Sequence, residues 1–132
     1  MTIWDPLRRR QVAATPEEQV RQWFIKELET SFKVPAHMMM SEVGFRFSQK
    51  QYRADILVYD RCGQPLVIVE CKRPSVEITP EVAAQAMRYD AVLSVKYIVL
   101  TNGTHTYMFS REESGFRPVD HLPQYEEMIC RQ

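Results

Sequence analysis

Three residues on two neighbouring runs are placed to do chemistry together. Asp55 sits in Tyr-Arg-Ala-Asp-Ile-Leu-Val-Tyr (52–59), and Glu70 and Lys72 sit in Leu-Val-Ile-Val-Glu-Cys-Lys (66–72). The intervening Asp60 to Pro65 is turn chemistry, so the two runs read as an antiparallel hairpin. With Tyr59 facing Leu66, Asp55 lies opposite Glu70 and Arg53 opposite Lys72, each pair roughly 5 Å apart at Cβ on one face. Glu70 and Lys72 share that face through the two-residue period of a strand. Opposed carboxylates in mid-sheet repel, and burial makes the ionised pair costly. A shared proton, the neighbouring lysine or a divalent cation each offsets that cost. Hard carboxylate oxygens suit Mg²⁺ or Mn²⁺. A lysine two residues beyond the glutamate is placed to orient or deprotonate a metal-bound water, or to stabilise a charged transition state. Such a set suits phosphodiester hydrolysis. The competing reading is a solvated surface ion pair worth little. Against it, Leu57 and Ile68 fall on the same face, so the charges interrupt an apolar surface. Arg53 beside Lys72 would suit a phosphate-binding groove.

Elements on either side must hold these groups in place. Thr15-Pro16-Glu17-Glu18 reads as a capping box with proline at the first helical position. Val20, Phe24, Ile25 and Leu28 then recur at helical spacing, and the helix ends before Pro35. Residues 42–47 alternate as a strand, and 66–71 is a near-continuous apolar run, as in a central strand covered on both faces. Thr79-Pro80-Glu81 opens a second helix running to about Leu93, on which Gln85 and Tyr89 share a face. Tyr97 to Thr101 is a buried strand. Asn102-Gly103 is a two-residue hairpin signal leading into Thr106 to Phe109. Pro123 to Cys130 reads as a short helix. Residues 1–14, with Asp5-Pro6 and the basic Arg8-Arg9-Arg10, read as a solvated arm before one domain over 15–132. The order α-β-β-β-α-β, with an added C-terminal strand, is an α/β class: a mixed β-sheet flanked by helices.

Composition removes several alternatives. The 132 residues carry 17 Lys+Arg against 17 Asp+Glu, so polyanion binding gets no support from net charge and must come from a local patch. No phosphate-loop pattern can be written around any of the 4 glycines, so no NTP is expected as a partner. The 3 cysteines lack C-x-x-C spacing and the 3 histidines form no ligand pair, which argues against a disulfide framework or a zinc site. Cys71 alternates away from Glu70 and Lys72, so its thiol reads as a small core group. No signal peptide and no apolar run near the roughly 18 residues of a membrane span is seen, so a cytoplasmic protein without a membrane partner is expected.

Ala54-Asp55-Ile56-Leu57-Val58 followed by Ile68-Val69-Glu70-Cys71-Lys72-Arg73-Pro74 resembles the PD-(D/E)XK nuclease superfamily. More narrowly, it resembles the N-terminal nuclease domain of type I restriction enzyme R proteins. The likeness runs from Asp5 to about residue 110. It includes Asp5-Pro6-Leu7-Arg8-Arg9-Arg10, the Thr15-Pro16-Glu17-Glu18 start with Val20-Arg21-Gln22, Gln85-x-x-x-Tyr89 and Thr101-Asn102-Gly103. Ala54 departs from the proline of the superfamily name. The resemblance implies a restriction-endonuclease-like core acting on DNA with Mg²⁺ or Mn²⁺ held by Asp55, Glu70 and the backbone carbonyl of Cys71. Lys72 would be the catalytic lysine. A glutamate of the first helix would complete the pocket: helical spacing favours Glu17, whereas Glu18 suits the capping box. Gln85 and Tyr89, with Arg53, would contact DNA or brace the site. A complete R protein also carries an ATP-driven motor, and none can be read here, so the chain is not expected to be a whole restriction subunit. Two functions follow from these residues: a metal-dependent deoxyribonuclease, acting as a homodimer or with a partner protein, or a nuclease-fold binding or regulatory module without turnover.

Overall fold

Extended backbone at Thr15 (φ −69°, ψ 159°) turns into helix because its hydroxyl accepts the Glu18 amide at 3.1 Å and Pro16 follows. The resulting helix α1 (Pro16–Thr30) buries Val20, Phe24, Ile25 and Leu28 on one stripe, as the periodicity requires. Half of the expected capping box is missing: the Glu18 carboxylate bonds to Arg8, Arg21 and Gln22 instead of returning to Thr15. The computed structural model describes residues 1–47, 49–88 and 93–130, with only the backbone of Phe47. The order along the chain is β1 (Thr2–Asp5), β2 (Arg10–Ala13), α1, a short 3₁₀ turn (Ala36–Met38), β3 (Met39–Phe47), β4 (Lys50–Tyr59), β5 (Pro65–Cys71), α2 (Pro80–Met87), β6 (Tyr97–Thr101), β7 (Thr106–Glu112), β8 (Gly115–Val119) and α3 (Tyr125–Cys130).

Strands β3 to β8 form a six-stranded sheet in sequence order, antiparallel except where β5 runs parallel to β6. Only that step needs a crossover, and α2 lies in it. Central strands β5 and β6 are almost fully buried, consistent with cover on both faces. On one face Ile56, Val58, Val67, Val69 and Cys71 pack with the apolar stripe of α1 and with Tyr125 and Met128 of α3. On the other, Ala54, Leu57, Ile68 and Ile98 pack with Ala86 of α2. The α/β class and the mixed sheet agree with the sequence reading. Among the described residues no helix is long and apolar enough to cross a membrane.

Local differences have local causes. A bulge between Val58 and Tyr59 sets Tyr59 opposite Pro65 and not Leu66, while Val58↔Val67, Leu57↔Ile68 and Ile56↔Val69 keep the expected register. The Asn102-Gly103 turn is a four-residue connection, because the Asn102 side chain accepts the amides of Thr104 and His105 at 2.9 and 2.8 Å. The helix expected to reach Leu93 is described only to its cap at Arg88, and Tyr89 lies outside the described residues.

The first fourteen residues are not a solvated arm. Residues 2–5 and 10–13 pair as a hairpin, Thr2 against Ala13 through Asp5 against Arg10. Asp5 is fully buried and takes hydrogen bonds from the Leu7 amide (2.9 Å), Ser41 of β3 (3.1 Å) and Arg8. Arg9 and Arg10 remain exposed, but Arg8 does not.

Gly103 has φ +88°, and a Cβ built there would meet Val20 Cγ2 at 3.3 Å. Gly103→Ala is therefore expected to cost about 1–2 kcal/mol, read as a melting temperature lower by several degrees. Asp5 gives the fold a pH dependence. Burial alone would raise its carboxyl, but the bonds from Arg8, Leu7 and Gln22 outweigh that and hold it below the ordinary carboxylate range. A lowered folded-state value means stability that is complete above about pH 4 and lost as pH falls through the folded value. The melting-temperature gap between wild type and Asp5→Asn should be full at neutral pH and close on acidification.

Candidate active site

The site lies where β5 and β6 end side by side. Cys71 pairs with Thr101, and the Lys72 amide donates to the Thr101 carbonyl at 2.8 Å. The Asn102 side chain donates to the Val76 carbonyl at 2.9 Å, tying the loop after β6 to the loop after Lys72. These bonds hold the Glu70–Cys71–Lys72 stretch against the end of β6.

Asp55 reaches that stretch by breaking strand regularity. The β4–β5 ladder runs to Ile56↔Val69, and the β3–β4 ladder passes from Ser41↔Ile56 to Val43↔Ala54, with Glu42 at φ +54°. Ala54 packs on the α2 face and Ile56 on the α1 face, although residues two apart in a regular strand share a face. The alternation slips at Asp55. Its carboxylate is therefore not ladder-paired with Glu70: Oδ2 accepts the Cys71 amide at 2.7 Å, next in sequence to Glu70. Its Oδ1 accepts Arg21 Nη2 from α1 at 2.9 Å.

Glu70 and Lys72 point to the α2 side and line a pocket of about 170 Å³ with Val82, Gln85, Ala86 and Leu100. Both are half-buried, while Gln85 is exposed at the rim. Glu17 stands at the start of α1, where partial loss of water first and the Asp55 charge second push its carboxyl above the ordinary range. Arg21 and Lys72 oppose that shift, which places Glu17 within electrostatic reach of both. The Cys71 thiol is buried with the α1-side core, away from the pocket. Arg53 does not face Lys72: it pairs with Gly44 on β3, and its exposed guanidinium bonds to Glu42 at 2.9 Å. The β4–β5 ladder stops at Ile56↔Val69, short of that expected pairing.

A residue set that sequence reasoning passed over organises the site. Arg21 is 4% exposed, and its Nη1 donates to Glu18 Oε1 at 2.6 Å while Nη2 meets Glu42 Oε1 at 2.6 Å and Asp55. Glu18 Oε1 also receives Arg8 Nη2 at 2.6 Å, and Arg8 bonds to Asp5. A signal existed for Arg21. It sits three and four residues before Phe24 and Ile25 on the buried stripe, and three after Glu18, so it interrupts an apolar face as Asp55 does. Glu42 carried no such signal.

The donors available for a hard cation are the carboxylates of Asp55 and Glu70 and the Cys71 carbonyl. Among the described residues no three His, Cys, Asp or Glu side chains form a ready-made metal cage. Mg²⁺ does not need one, since it is held by one or two carboxylates with water and substrate phosphate completing its shell. Among the described residues each Asp55 oxygen accepts one hydrogen bond, and a carboxylate oxygen carries a second lone pair.

Comparison with known proteins bears on the family and the fold. A family model described as type I restriction enzyme R protein N terminus (HSDR_N) matches residues 16–123. Nothing among curated proteins matches the chain. Among solved structures, a fragment described as an HsdR subunit of a type I restriction enzyme from Vibrio vulnificus YJ016 superposes with a TM-score of 0.64 at 22% identity. That match covers 89% of this chain and 24% of the other, so this chain spans about a quarter of that relative's length. At that identity the likeness speaks for the fold, and the family match spans most of the sequence. The chain belongs to the family of type I restriction enzyme R protein N termini.

Proposed function

We propose that this chain is a divalent-metal-dependent deoxyribonuclease module that hydrolyses phosphodiester bonds. The observation that carries the reading is the hydrogen bond from the Cys71 amide to Asp55 Oδ2 at 2.7 Å. It brings one carboxylate against the strand end that bears a second carboxylate and a lysine, in a member of the R protein family.

Asp55, Glu70 and the Cys71 carbonyl would hold Mg²⁺ or Mn²⁺, and the donor chemistry fits such an ion. When bound, the cation would lower the pKa of a water and neutralise charge on the phosphate. The residues of the chain supply the rest. Lys72, half-buried beside Glu70, would orient the attacking water or stabilise charge building on the phosphate oxygens. Gln85 at the pocket rim would donate to a phosphate oxygen and fix the strand's position. Glu17, with its raised carboxyl, would approach from the α1 side and complete the pocket. Because the net charge is zero, DNA affinity would come from a partner protein, a second copy or further parts of an R-type protein.

One observation favours a second reading. Both Asp55 oxygens already accept hydrogen bonds, one of them from a cationic guanidinium. A module in which Arg21 does the work of a cation would bind DNA or regulate without turnover.

The test is incubation with supercoiled, linear and single-stranded DNA in Mg²⁺ or Mn²⁺, beside Glu70→Gln. Cation-dependent cleavage that disappears in the variant supports the nuclease. No cleavage, with calorimetry finding no Mn²⁺ binding, selects the silent module. Binding without cleavage points to a required partner.

A further inference from the structure

We propose that the N-terminal hairpin is part of the active-site machinery, with Arg8, Glu18 and Arg21 acting as positioning residues for the Asp55 carboxylate. The inference rests on the nuclease reading for its metal readout, and on geometry alone for its structural one.

The connection is continuous. Ser41 donates to Asp5 Oδ2 at 3.1 Å, which fixes the buried end of the hairpin to β3. Arg8 then bridges Asp5 and Glu18, its Nη2 at 2.6 Å from Glu18 Oε1. The same oxygen receives Arg21 Nη1 at 2.6 Å. The opposite arm of that guanidinium, Nη2, holds Asp55 Oδ1 at 2.9 Å, and the other Asp55 oxygen takes the Cys71 amide at 2.7 Å. Four carboxylates (Asp5, Glu18, Glu42 and Asp55) and three guanidiniums (Arg8, Arg21 and Arg53) share this network.

Two features mark it as more than packing. Arg21 Nε is buried with no acceptor among the described residues. Leaving a buried donor unpaired is costly, so the carboxylates at its terminal nitrogens dictate the pose of the guanidinium. Glu18 is also diverted from its cap: the Thr15–Glu18 sequence invites a return bond to Thr15, yet the carboxylate serves Arg8 and Arg21. Planar guanidiniums hold carboxylates in fixed orientation where an ammonium would not. A hairpin remote in sequence thereby fixes the rotation of the carboxylate proposed to bind the cation, and partners at this remove from a metal ligand tune affinity and rate.

The test uses Arg8→Ala and Arg8→Lys, which lie outside the pocket, and Phe116→Ala as a control that weakens the opposite edge of the sheet. The first readout is the NMR position of the Cys71 amide, whose proton Asp55 holds. It should move in Arg8→Ala, move less in Arg8→Lys, and stay fixed in Phe116→Ala even at an equal loss of melting temperature. The second is Mn²⁺ affinity by calorimetry, expected to fall about 10-fold in Arg8→Ala. The third is a lower kcat at unchanged KM for DNA. A Cys71 amide that stays put while melting drops would reduce the hairpin to packing and overturn the proposal. A rise in Mn²⁺ affinity would also overturn it, because Arg21 would then compete for Asp55 and not position it. Should wild type bind no Mn²⁺, the nuclease reading fails, and the amide comparison alone decides whether the hairpin sets Asp55.

Discussion

Lys72→Ala is expected to lower metal-dependent cleavage by about 10²–10⁴-fold while Mn²⁺ binding and fold survive. The reason lies in what Lys72 does and does not touch. Its backbone is held by the Thr101 carbonyl, so the strand end keeps its place without the side chain. Among the described residues the ammonium makes no ion pair or side-chain hydrogen bond, so its loss leaves no buried partner stranded. A substitution of that kind normally stays within about 0.5 kcal/mol. Single-turnover cleavage beside a melting curve checks the separation. If melting fell sharply with no change in cleavage, Lys72 would be a structural cation and the catalytic reading would be lost.

Asp55→Ala should behave in the opposite way, harming fold and function together. It leaves the Cys71 amide without its acceptor and takes one of three carboxylates from the buried Arg21 guanidinium, 4% exposed. Removing one member of a buried ion network costs about 3–5 kcal/mol. In a domain of this size that lowers the melting temperature by about 10 °C or more. Asp55→Asn retains an acceptor for the Cys71 amide and loses only the charge facing Arg21, so it should lose roughly half as much. Both variants should lose Mn²⁺ binding. Loss of cleavage in Asp55→Ala alone thus says little about catalysis, and the comparison of Asp55→Asn with Lys72→Ala carries the information. Equal stability of wild type and Asp55→Ala would contradict the buried network.

Much of this arrangement was legible in the sequence, and the exceptions share a cause. The β4–β5 pairing at residues 56–58, the start of α1 and the apolar run of β5 follow from local alternation, capping and turn chemistry. The N-terminal hairpin was not legible, because its strands are four residues each and are secured by Ser41 and Glu18, far along the chain. Strand β8 was hidden by Gly115 and Pro118, which only an edge strand tolerates. In the site, the nearness of Asp55 to the end of β5 was readable, but the face of Asp55 was not. A strict two-residue period puts it opposite Glu70; the slip at Ala54–Ile56 turns it toward Arg21 and the Cys71 amide. Such slips are set by burial on both sides of the sheet, which no local pattern encodes.

The position of Cys71 turns the strand end into its own stopwatch. The residue is 1% exposed, and burial foremost, with the Asp55 charge behind it, pushes the thiol well above its ordinary value. Alkylation needs an exposed thiolate, so it can proceed only while β5 separates from α1. Cys62 and Cys130 are exposed and would react at once, so serine at those positions leaves a single slow thiol. Its labelling rate then counts how often the segment bearing Glu70 and Lys72 opens, without metal, DNA or turnover.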